Sequence, residues 1–275
     1  MKKGHLLLLL VSCLTLLGAC GKNSQAPSIL DKIKSSQTPH IRWGIKNDTR
    51  LFGYYNIAKQ EVEGFDIDIA KALTKEIAGP QAQADFVEVT SKTRIPLLKN
   101  GNIDAIIATM TISEERKKQV DFTDVYFAAG QSLLGPEDSP LQSVQDLGPQ
   151  NTVLAVKGSS SAESIRKFAP QAKVLELENY AEAFTALQSG QGDVMTTDNA
   201  ILLGIADQNP GYRLIGEAFT KEPYGIAIDK SQKDFRDEVN RALVKIKVDG
   251  TYDKIFHKWF PDAGESANAK NLKEA

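Results

Sequence analysis

The sequence predicts an α/β fold built from two similar lobes. From Ile41 onward, short apolar runs typical of strands alternate with segments of helical periodicity, as in α/β architectures. The motif Leu-x-x-Gly-x-x-Asp occurs at Leu98 and again 89 residues later at Leu187. Each copy has the pattern of a helix end, a glycine C-cap and an entering strand. We therefore expect the same helix–strand unit in each lobe.

The chain begins with a pattern typical of a secretory signal. Lys2 and Lys3 precede an apolar run over 6–17, which gives the charged head and short apolar core of such signals. This run is shorter than the roughly 20 apolar residues that a membrane-spanning helix needs. We predict a signal peptide over 1–19 and an exported protein.

Cys20 follows this signal in the sequence Leu-Gly-Ala-Cys, which resembles the lipobox of bacterial lipoproteins. The resemblance implies that Cys20 is lipidated, and its acyl chains would anchor the protein to a membrane. The next residues are polar and contain Gly, Pro and Ser, which predicts a flexible tether over 20–40 before a body that begins near Ile41. We expect the protein on the outer face of the cell membrane, or on the periplasmic face in a Gram-negative host.

The first half of the body is predicted to contain three strands and two helices. The strands are IRWGI, FVEV and IDAIIA. In the segment DIDIAKALTKEI an apolar residue recurs every four positions, which indicates a helix. Asp66 and Asp68 stand at its N-terminus, where carboxylates are favourable, and we interpret both as structural. The second helix begins at the cap residue Thr93 and ends at Gly101.

The second half repeats this alternation. Strands are predicted at VLAV, KVLELE, DVMTT and YGIAI. Helices are predicted over 159–168, over 179–189, and in a segment with Phe235 on its apolar face that ends at Gly250. The last residues are polar, so we expect a frayed tail over 263–275.

Composition and motifs exclude several classes of function. The 33 basic side chains nearly balance the 35 acidic ones, giving a net charge of −2, so no general attraction to nucleic acid is expected. Both cysteines, Cys13 and Cys20, lie near the N-terminus and the three histidines are scattered, so no metal site or catalytic triad is predicted. No P-loop, G-x-S-x-G or H-E-x-x-H motif occurs. We predict no cofactor.

Charged residues stand at strand ends and helix starts, where open α/β sheets bind ligands. Lys46 follows the first strand, and Asp198 ends the strand DVMTTD. Arg94 lies in the first turn of its helix, and Arg116 follows the predicted helix cap Ser113. Arginine is unfavourable beside the positive end of a helix dipole, so binding of an anion is a reason for both arginines. Thr109 and Asp198 each stand five residues beyond a repeated aspartate. Both are therefore expected at strand ends that face a shared cleft.

The serine run over 158–161 follows a strand and starts a helix. Its backbone N–H groups could hold an anion at the helix N-terminus, which would place Ser159 and Ser160 at the ligand. A serine cap is the structural alternative. Both interpretations stay open from the residues alone.

Several segments together resemble the bacterial extracellular solute-binding proteins of family 3, the amino-acid receptors of ATP-driven importers. They are VEGFDIDIAKAL, SKTRIPLLKNGNIDAIIATMTISEER, VKGSSSAESI, GDVMTTDNAILLG, EPYGIAI and DGTYDKIFHKWF, in order along nearly all of 41–260. The resemblance implies a two-lobed periplasmic-binding-protein (venus-flytrap) fold, in which two α/β lobes are joined by a two-segment hinge. Lobe 1 would comprise 41–131 and 224–262, and lobe 2 would comprise 132–223.

The resemblance also implies roles in binding a free amino acid. Arg116, helped by Thr111 and the backbone near Thr109, corresponds to the group that holds the α-carboxylate. Asp198 corresponds to the acceptor of the α-ammonium. A guanidinium suits a carboxylate and a carboxylate suits an ammonium, so both roles agree with the residue types. The residues that correspond to the side-chain end of the ligand are Lys46, Arg94 and Tyr180.

Two ligand classes fit the side-chain end. The segments IKND and KTRIP resemble receptors for glutamate and aspartate, whereas NDTRLFG with SKTRIP resembles Gram-positive receptors for glutamine. Three cations, Lys46, Arg94 and Arg116, against Asp198 give a site charge near +2, which suits an acidic ligand because unpaired buried charge is costly. We expect glutamate or aspartate, with glutamine as the alternative if Asp48 neutralises one of the cations.

Three classes of function fit the resemblance. The first is a receptor without catalysis, which captures an amino acid by lobe closure and delivers it to an ABC permease and its ATPase. The second is a dehydratase on the same fold, which needs a general acid or base such as His257 in the cleft. The third is a sensor domain, which we would expect to precede a kinase or a membrane-spanning segment. We expect the receptor and no enzymatic activity.

Overall fold

The computed structural model describes residues 28–261, so the predicted signal over 1–19, Cys20 and the predicted tail over 263–275 lie outside the described residues. The helices in the described range are α1 (Ile29–Ser35), α2 (Phe65–Ala78), α3 (Arg94–Lys99), α4 (Glu114–Lys117), α5 (Ser160–Phe168), α6 (Tyr180–Gln188), α7 (Asn199–Asp207), α8 (Lys233–Val248) and α9 (Thr251–Trp259). The strands are β1 (His40–Ile45), β2 (Asp48–Thr49), β3 (Gly53–Asn56), β4 (Glu61–Glu63), β5 (Gln83–Glu88), β6 (Ala105–Ile106), β7 (Asp121–Phe122), β8 (Phe127–Ala129), β9 (Gln131–Pro136), β10 (Thr152–Val156), β11 (Lys173–Leu177), β12 (Val194–Asp198), β13 (Tyr212–Ile215), β14 (Glu222–Tyr224) and β15 (Ala227–Ile228). Across 28–261, no helix combines the length and the apolar character needed to cross a membrane.

Lobe 1 is built around a five-stranded sheet with the order β5-β1-β6-β15-β7. β1 runs parallel to β5 and β6, whereas β15 is antiparallel to β6 and β7. The helix α2 packs on β1 and β5. Its residues Ile69 and Leu73 are fully buried, and Ile77 is partly buried against the same core. The apolar stripe seen in the sequence therefore fixes how this helix sits on the sheet.

Lobe 2 has the same arrangement, with the strand order β11-β10-β12-β9-β13. β10 runs parallel to β11 and β12, and β9 is antiparallel to β12 and β13. In each lobe, an antiparallel strand that follows a crossing between the lobes completes the sheet. This strand is β9 in lobe 2 and β15 in lobe 1.

The repeated sequence motif makes the same hydrogen bonds in both lobes. Gly101 and Gly190 both have a φ of 71°, the left-handed conformation that commonly ends a helix. Asp104 accepts a hydrogen bond from a backbone N–H of β1 at 2.8 Å, and Asp193 accepts one from β10 at 2.6 Å. The motif thus ties the loop after a helix to the first parallel strand of its own lobe.

The two crossings between the lobes run side by side as a hinge sheet. β8 and β14 pair antiparallel, with Phe127 opposite Tyr224. A cluster of aromatic rings surrounds this pair on the lobe 1 side. Its members are Phe52, Phe65, Phe127, Tyr224, Phe256 and Phe260. Both crossings therefore pass beside a packed aromatic cluster of lobe 1.

The lobes are in contact across the cleft. A Cβ atom added to Gly204 of α7 would lie 3.1 Å from the side chain of Arg50 in lobe 1. One added to Gly158 would lie 3.0 Å from the backbone of Lys92 in lobe 1. Both glycines therefore allow the lobes to approach more closely than a residue with a side chain would. The structure shows a closed arrangement of the two lobes.

Part of the segment predicted as a flexible tether is folded, which corrects that prediction. α1 lies inside 20–40, and its cap Ser28 accepts a hydrogen bond from a backbone N–H at 3.1 Å. Leu30 and Ile33 of α1 are buried against the main core. These two residues dock a helix of about two turns. Two apolar residues in a polar segment are too few to reveal a helical period in the sequence.

The other differences from the sequence predictions concern short elements. The predicted strand IDAIIA is reduced to β6, and YGIAI is divided between β14 and β15. Thr93 precedes α3 but makes no side-chain cap; its hydroxyl instead accepts a hydrogen bond from Thr90 N. The three-stranded sheet β2-β3-β4 was not predicted, because strands of two to four residues show no clear alternation.

Candidate ligand-binding site

Strand ends from both lobes meet at the cleft. Lys46 directly follows β1, Thr109 and Thr111 follow β6, and Asp198 ends β12. All four side chains are buried. The fold thus brings together residues that lie far apart in the sequence, at the edge of the sheets where open α/β folds bind ligands.

Lys46 is buried at one end of the cleft. Its Nζ lies 3.7 Å from Asp48 Oδ1 and 4.7 Å from the ring centre of Tyr180. Burial lowers the pKa of Lys46 to about 8; Asp48 opposes this shift, and the charge of Arg94 adds to it. Asp48 also accepts a hydrogen bond from the backbone N–H of Tyr180 at 2.8 Å. Asp48 therefore both balances Lys46 and links lobe 1 to the start of α6 in lobe 2.

Arg94 begins α3 and is buried, with 2% of its surface exposed. Its Nη1 donates a hydrogen bond to the carbonyl oxygen of Ala108 at 2.8 Å. Burial, and after it the charge of Arg116, lowers the pKa of Arg94 to about 9. The guanidinium is thus a desolvated cation fixed at the end of β6.

Thr109 has a φ of 45°, which is uncommon for a residue other than glycine. Its backbone N–H donates to Asp66 at 3.0 Å, and the hydroxyl of Tyr126 donates to the same carboxylate at 2.9 Å. Burial raises the pKa of Asp66 to about 7, and these two hydrogen bonds oppose the rise. Asp66 therefore has the structural role expected from the sequence, but through Thr109 rather than through the helix end alone.

Arg116 reaches across the cleft from α4. Its backbone N–H donates to the cap residue Ser113 at 3.3 Å, as the sequence predicts. Its Nη1 donates to the carbonyl oxygen of Thr111 at 2.8 Å, and its Nη2 donates to that of Gly158 in lobe 2 at 3.3 Å. Two of the five guanidinium N–H groups are used in these contacts, which fix the plane of the group at the mouth of lobe 2.

Asp198 is held by two neutral donors. The hydroxyl of Tyr224 donates to Oδ2 and the side-chain amide of Gln131 donates to Oδ1, each at 2.5 Å. Burial, and after it the charge of Glu222, raises the pKa of Asp198 to about 7; the Tyr224 hydrogen bond opposes the rise. A cation placed beside Asp198 would stabilise its ionised form.

The two serines at the start of α5 have different surroundings. The hydroxyl of Ser159 donates to Val156 O at 2.6 Å and accepts from Ala162 N at 3.2 Å. Ser159 is thus the helix cap, the structural alternative stated from the sequence, and its place at the ligand through the backbone N–H groups stays a prediction. The hydroxyl of Ser160 lies 3.3 Å from that of Thr111 and 3.1 Å from Glu222 Oε2. Ser160 therefore belongs to the cleft.

Unpaired polar atoms are concentrated at this cleft. Within 28–261, five buried side-chain nitrogen or oxygen atoms have no hydrogen-bond partner. Four of them are Lys46 Nζ, Arg94 Nε, Thr109 Oγ1 and Gln131 Oε1, and the fifth is Ser132 Oγ, next to Gln131. Buried polar groups are normally paired because leaving one unpaired costs about 1–3 kcal/mol. Two nitrogen donors, one amide carbonyl acceptor and one hydroxyl left unpaired in the cleft therefore indicate a site for a small polar ligand.

Three residues of this cleft were not assigned to the ligand from the sequence. Asp48 was considered only as a possible counter-ion, and Gln131 and Glu222 were not considered. Gln131 is the cross-strand partner of Asp198 in the β9–β12 ladder, a pairing that the sequence alone does not reveal. Glu222 begins β14 and is buried, whereas nothing in its sequence context distinguishes it from an ordinary surface charge. Over the same range, 28–261, no cluster of His, Cys, Asp and Glu is arranged to hold a metal ion.

Two α/β lobes, a paired-strand hinge and a closed polar cleft at the strand ends define a solute-binding protein of the venus-flytrap class. The model of the family described as bacterial extracellular solute-binding proteins, family 3, matches residues 41–262. The chain belongs to this family. The resemblance stated from the sequence motifs is thereby confirmed.

Named relatives are similar over most of the chain. The identity is 57% over 253 residues with the ABC transporter glutamine-binding protein GlnH of Bacillus subtilis (strain 168), covering 90% of this chain and 93% of the relative. It is 53% over 243 residues with the glutamine-binding protein of Geobacillus stearothermophilus, covering 84% and 93%. A solved structure of an ancestral arginine-binding protein bound to glutamine has a TM-score of 0.76 and 41% identity, covering 80% of this chain and 97% of that one.

Proposed function

We propose that this protein is the substrate-binding receptor of an ABC importer and that its ligand is glutamine. The observation that carries the choice of glutamine is the ion pair between Lys46 and Asp48 at the side-chain end of the cleft. The relatives named for glutamine support the same ligand over the glutamate or aspartate expected from the sequence. The protein captures the amino acid by closing its lobes and releases it unchanged.

The balance of charges in the cleft favours a ligand without net charge. The site charge of +2 expected from the sequence counted three cations and only one acid, Asp198. Asp48, Asp66 and Glu222 are further acids in or beside the cleft. The site charge then lies between −1, with every acid ionised, and +1, with Asp66 and Asp198 both protonated. An ammonium bound beside Asp198 keeps this carboxylate ionised, so the charge of the occupied site lies between −1 and 0. Zwitterionic glutamine fits this charge better than glutamate, because glutamate would add an uncompensated negative charge.

The side-chain end offers both donors and an acceptor. Lys46 Nζ and Arg94 Nε are buried donors without a partner among the described residues. Asp48 is a carboxylate acceptor 3.7 Å from that lysine. A carboxamide presents one acceptor oxygen and one donor NH₂ group, whereas a carboxylate presents acceptors only. A mixed set of this kind is therefore complementary to the side chain of glutamine.

We propose that the other end of the cleft holds the α-groups. Arg116 and Thr111 would bind the α-carboxylate, because the guanidinium keeps three N–H groups beyond its two protein contacts. Asp198 would accept the α-ammonium, with Thr109 Oγ1 as a second, still unpaired acceptor. Tyr180 would form a wall of the site, since its ring faces Lys46.

The dehydratase alternative receives no support from His257. This residue is exposed on α9, where its ring meets the edge of Phe256 in the aromatic core. It is therefore packed on the outside of lobe 1 and does not offer a general acid or base to the cleft.

Calorimetric titration of the purified protein with glutamine, glutamate, aspartate and asparagine tests this function. We expect glutamine to bind at least about tenfold more tightly than glutamate, a difference of roughly 1.4 kcal/mol. If glutamate binds more tightly than glutamine, the ligand is the acidic amino acid expected from the sequence, and Asp48 does not neutralise Lys46. Absence of binding to all four amino acids would reject the receptor function for polar amino acids.

We further propose that lipid on Cys20 anchors the receptor at the outer face of the cell membrane, or at the periplasmic face in a Gram-negative host. An ABC permease and its ATPase are the proposed partners that take up the amino acid. These proposals rest on the lipobox-like sequence and on the family, since Cys20 lies outside the described residues.

A further inference from the structure

The hinge strand β9 begins with a glutamine whose side chain is fully buried between the lobes. Gln131 has 0% of its surface exposed. Its backbone is fixed on both sides, because Gln131 N donates to Thr220 Oγ1 at 2.9 Å and Gln131 O accepts from Phe219 N at 2.8 Å. The residue is therefore held by the second crossing segment, and its side chain has a defined position in the closed protein.

The orientation of the Gln131 amide is fixed by the chemistry of its neighbours. Its Nε2 lies 2.5 Å from Asp198 Oδ1 and 3.5 Å from Ser160 Oγ. If the amide were turned over, its carbonyl oxygen would face a carboxylate that can only accept hydrogen bonds when ionised. The NH₂ group therefore points at Asp198, and the carbonyl oxygen points away from it.

Glu222 strengthens this orientation through Ser160. The Ser160 hydroxyl donates to Glu222 Oε2 at 3.1 Å, so its lone pairs are left to accept from Gln131. The other oxygen of Glu222 accepts from Thr220 Oγ1 at 2.7 Å, which keeps the carboxylate on the hinge. The chain of donors thus runs in one direction, from Gln131 to Ser160 and then to Glu222.

The carbonyl oxygen of Gln131 is left without a hydrogen-bond partner among the described residues. Because it belongs to the same planar amide as Nε2, it lies within a few ångströms of Asp198, the proposed acceptor of the α-ammonium. Thr109 Oγ1 is a second buried acceptor without a partner. An ammonium group has three N–H donors and needs acceptors around it when it is buried.

We infer that Gln131 is a further ligand-binding residue, whose side-chain carbonyl oxygen accepts a hydrogen bond from the α-ammonium group of the bound amino acid. Ser160 and Glu222 are positioning residues that keep the amide turned the right way. This inference rests on the proposed receptor function. It does not depend on glutamine being the ligand, since every free amino acid carries the same ammonium group.

The test compares two ligands on matched variants of the full protein. The ligands are glutamine and glutaramate, which is glutamine without its α-amino group. Gln131→Met removes the whole side-chain amide at nearly constant size, both the carbonyl oxygen and the NH₂ group that donates to Asp198. We expect it to weaken glutamine binding about ten- to a hundredfold, the range for loss of a hydrogen bond to a charged group. The affinity for glutaramate should change by less than about threefold. It is measured by displacement of bound glutamine, up to a glutaramate concentration that saturates the site.

Ser132→Ala is the matched control, because it removes a buried unpaired hydroxyl from the next residue of β9. Neighbouring strand residues point to opposite faces of the sheet, so this change should leave the affinity for both ligands unchanged. Gln131→Asn is the second variant if the methionine variant does not fold. It keeps the amide but withdraws it by one methylene, and it should weaken glutamine selectively as well.

Equal weakening of glutamine and glutaramate, or no weakening of either, would overturn the inference and leave Gln131 a structural residue of the hinge. Failure of the receptor function has a different signature, because the wild-type protein would then bind no amino acid. If the wild type prefers another amino acid, the same comparison is made with that amino acid and its deaminated analogue.

Discussion

The two ends of the cleft are built in different ways. At the α-group end, Asp198, Gln131, Ser160 and Glu222 form one continuous hydrogen-bond network that is anchored on the hinge. At the side-chain end, Lys46 and Asp48 form a 3.7 Å ion pair, beside the buried Arg94. A hydrogen-bond network fixes the positions of its groups, whereas the ion pair mainly determines the net charge around Lys46. The first end is thus suited to what all amino acids share, and the second to what distinguishes them.

The largest effects are expected from single substitutions at the α-group end. Arg116→Ala or Asp198→Ala leaves one charged group of the ligand unpaired inside a closed cleft. Each should cost about 3–5 kcal/mol, or roughly two to four decades of affinity, for every amino acid that binds. Isothermal titration calorimetry measures the loss. Lys117→Ala is the control, because its partner Glu114 is exposed and lies outside the cleft.

A loss that differs strongly between glutamine and other bound amino acids would contradict this division of roles. So would an affinity for glutamine close to that of the wild type. The melting temperature of the protein without ligand should fall little in Arg116→Ala. It should fall more in Asp198→Ala, because Tyr224 and Gln131 lose a buried hydrogen-bond acceptor.

An intermediate effect is expected at the side-chain end from Asp48→Asn. The asparagine can still accept the hydrogen bond from Tyr180 N, but it no longer balances the charge of Lys46. The preference for glutamine over glutamate should therefore fall by about ten- to a hundredfold, as expected for one charge-assisted contact. The ratio of the two affinities is the measurement, because a general loss of fold cancels in it.

Asp85→Asn is the matched control for this substitution, since Asp85 pairs with His40 on the surface of lobe 1. An unchanged ratio in the Asp48 variant would show that the ion pair does not set the specificity. The glutamine assignment would then lose its main structural support.

A smaller effect is expected from pH, again at the α-group end. The pKa of Asp198 is raised to about 7 in the protein without ligand, and a bound ammonium favours the ionised carboxylate. Below about pH 7 the free protein must therefore release a proton to bind glutamine. Affinity should fall as the pH is lowered, by up to about tenfold per pH unit.

Calorimetry in two buffers of different ionisation enthalpy counts the released protons. Asp66 also has a pKa raised to about 7, so Asp66→Asn separates the two carboxyl groups. The pH dependence should persist in that variant. A glutamine affinity that is flat across the weakly acidic range would contradict the role given to Asp198.

The smallest effect on either end of the cleft is expected from Cys20→Ser. The change should release the protein from membranes in cell fractionation, because the proposed lipid anchor is lost. Affinity for glutamine should stay within about twofold of the wild type. A wild-type protein that is recovered unlipidated in the soluble fraction would reject the anchor.

The sequence predicts the lobes and most helices because their signals are local. The duplicated motif, the stripe on α2 and the caps Ser113, Ser159 and Asn179 all depend on neighbouring residues. The motifs also identify the groups at the strand ends. The network around Gln131 and Glu222 could not be predicted, because it depends on the pairing of β9 with β12 and on a hinge crossing about 90 residues later in the chain.

The site charge of +2 expected from the sequence was too high for the same reason, because it omitted acids that only the fold brings to the cleft. Lys46 and Asp198 were recognised from their places at strand ends. The contribution of Asp48 and Glu222 to the site charge depends instead on distances across the cleft. The helix α1 shows a related limit, since its burial is decided by a surface of lobe 1 that the segment itself does not encode.

The repeated motif places Thr109 and Asp198 at equivalent positions of two copies of one supersecondary unit. In the proposed complex an amino acid would lie between these two equivalent positions, although its own two ends differ. The two copies differ at these positions, since one carries the hydroxyl of Thr109 and the other the carboxylate of Asp198. The Gly101 and Gly190 turns and the Asp104 and Asp193 contacts kept their geometry. The two lobes thus share one scaffold, and the difference between these two side chains distinguishes one side of the cleft from the other.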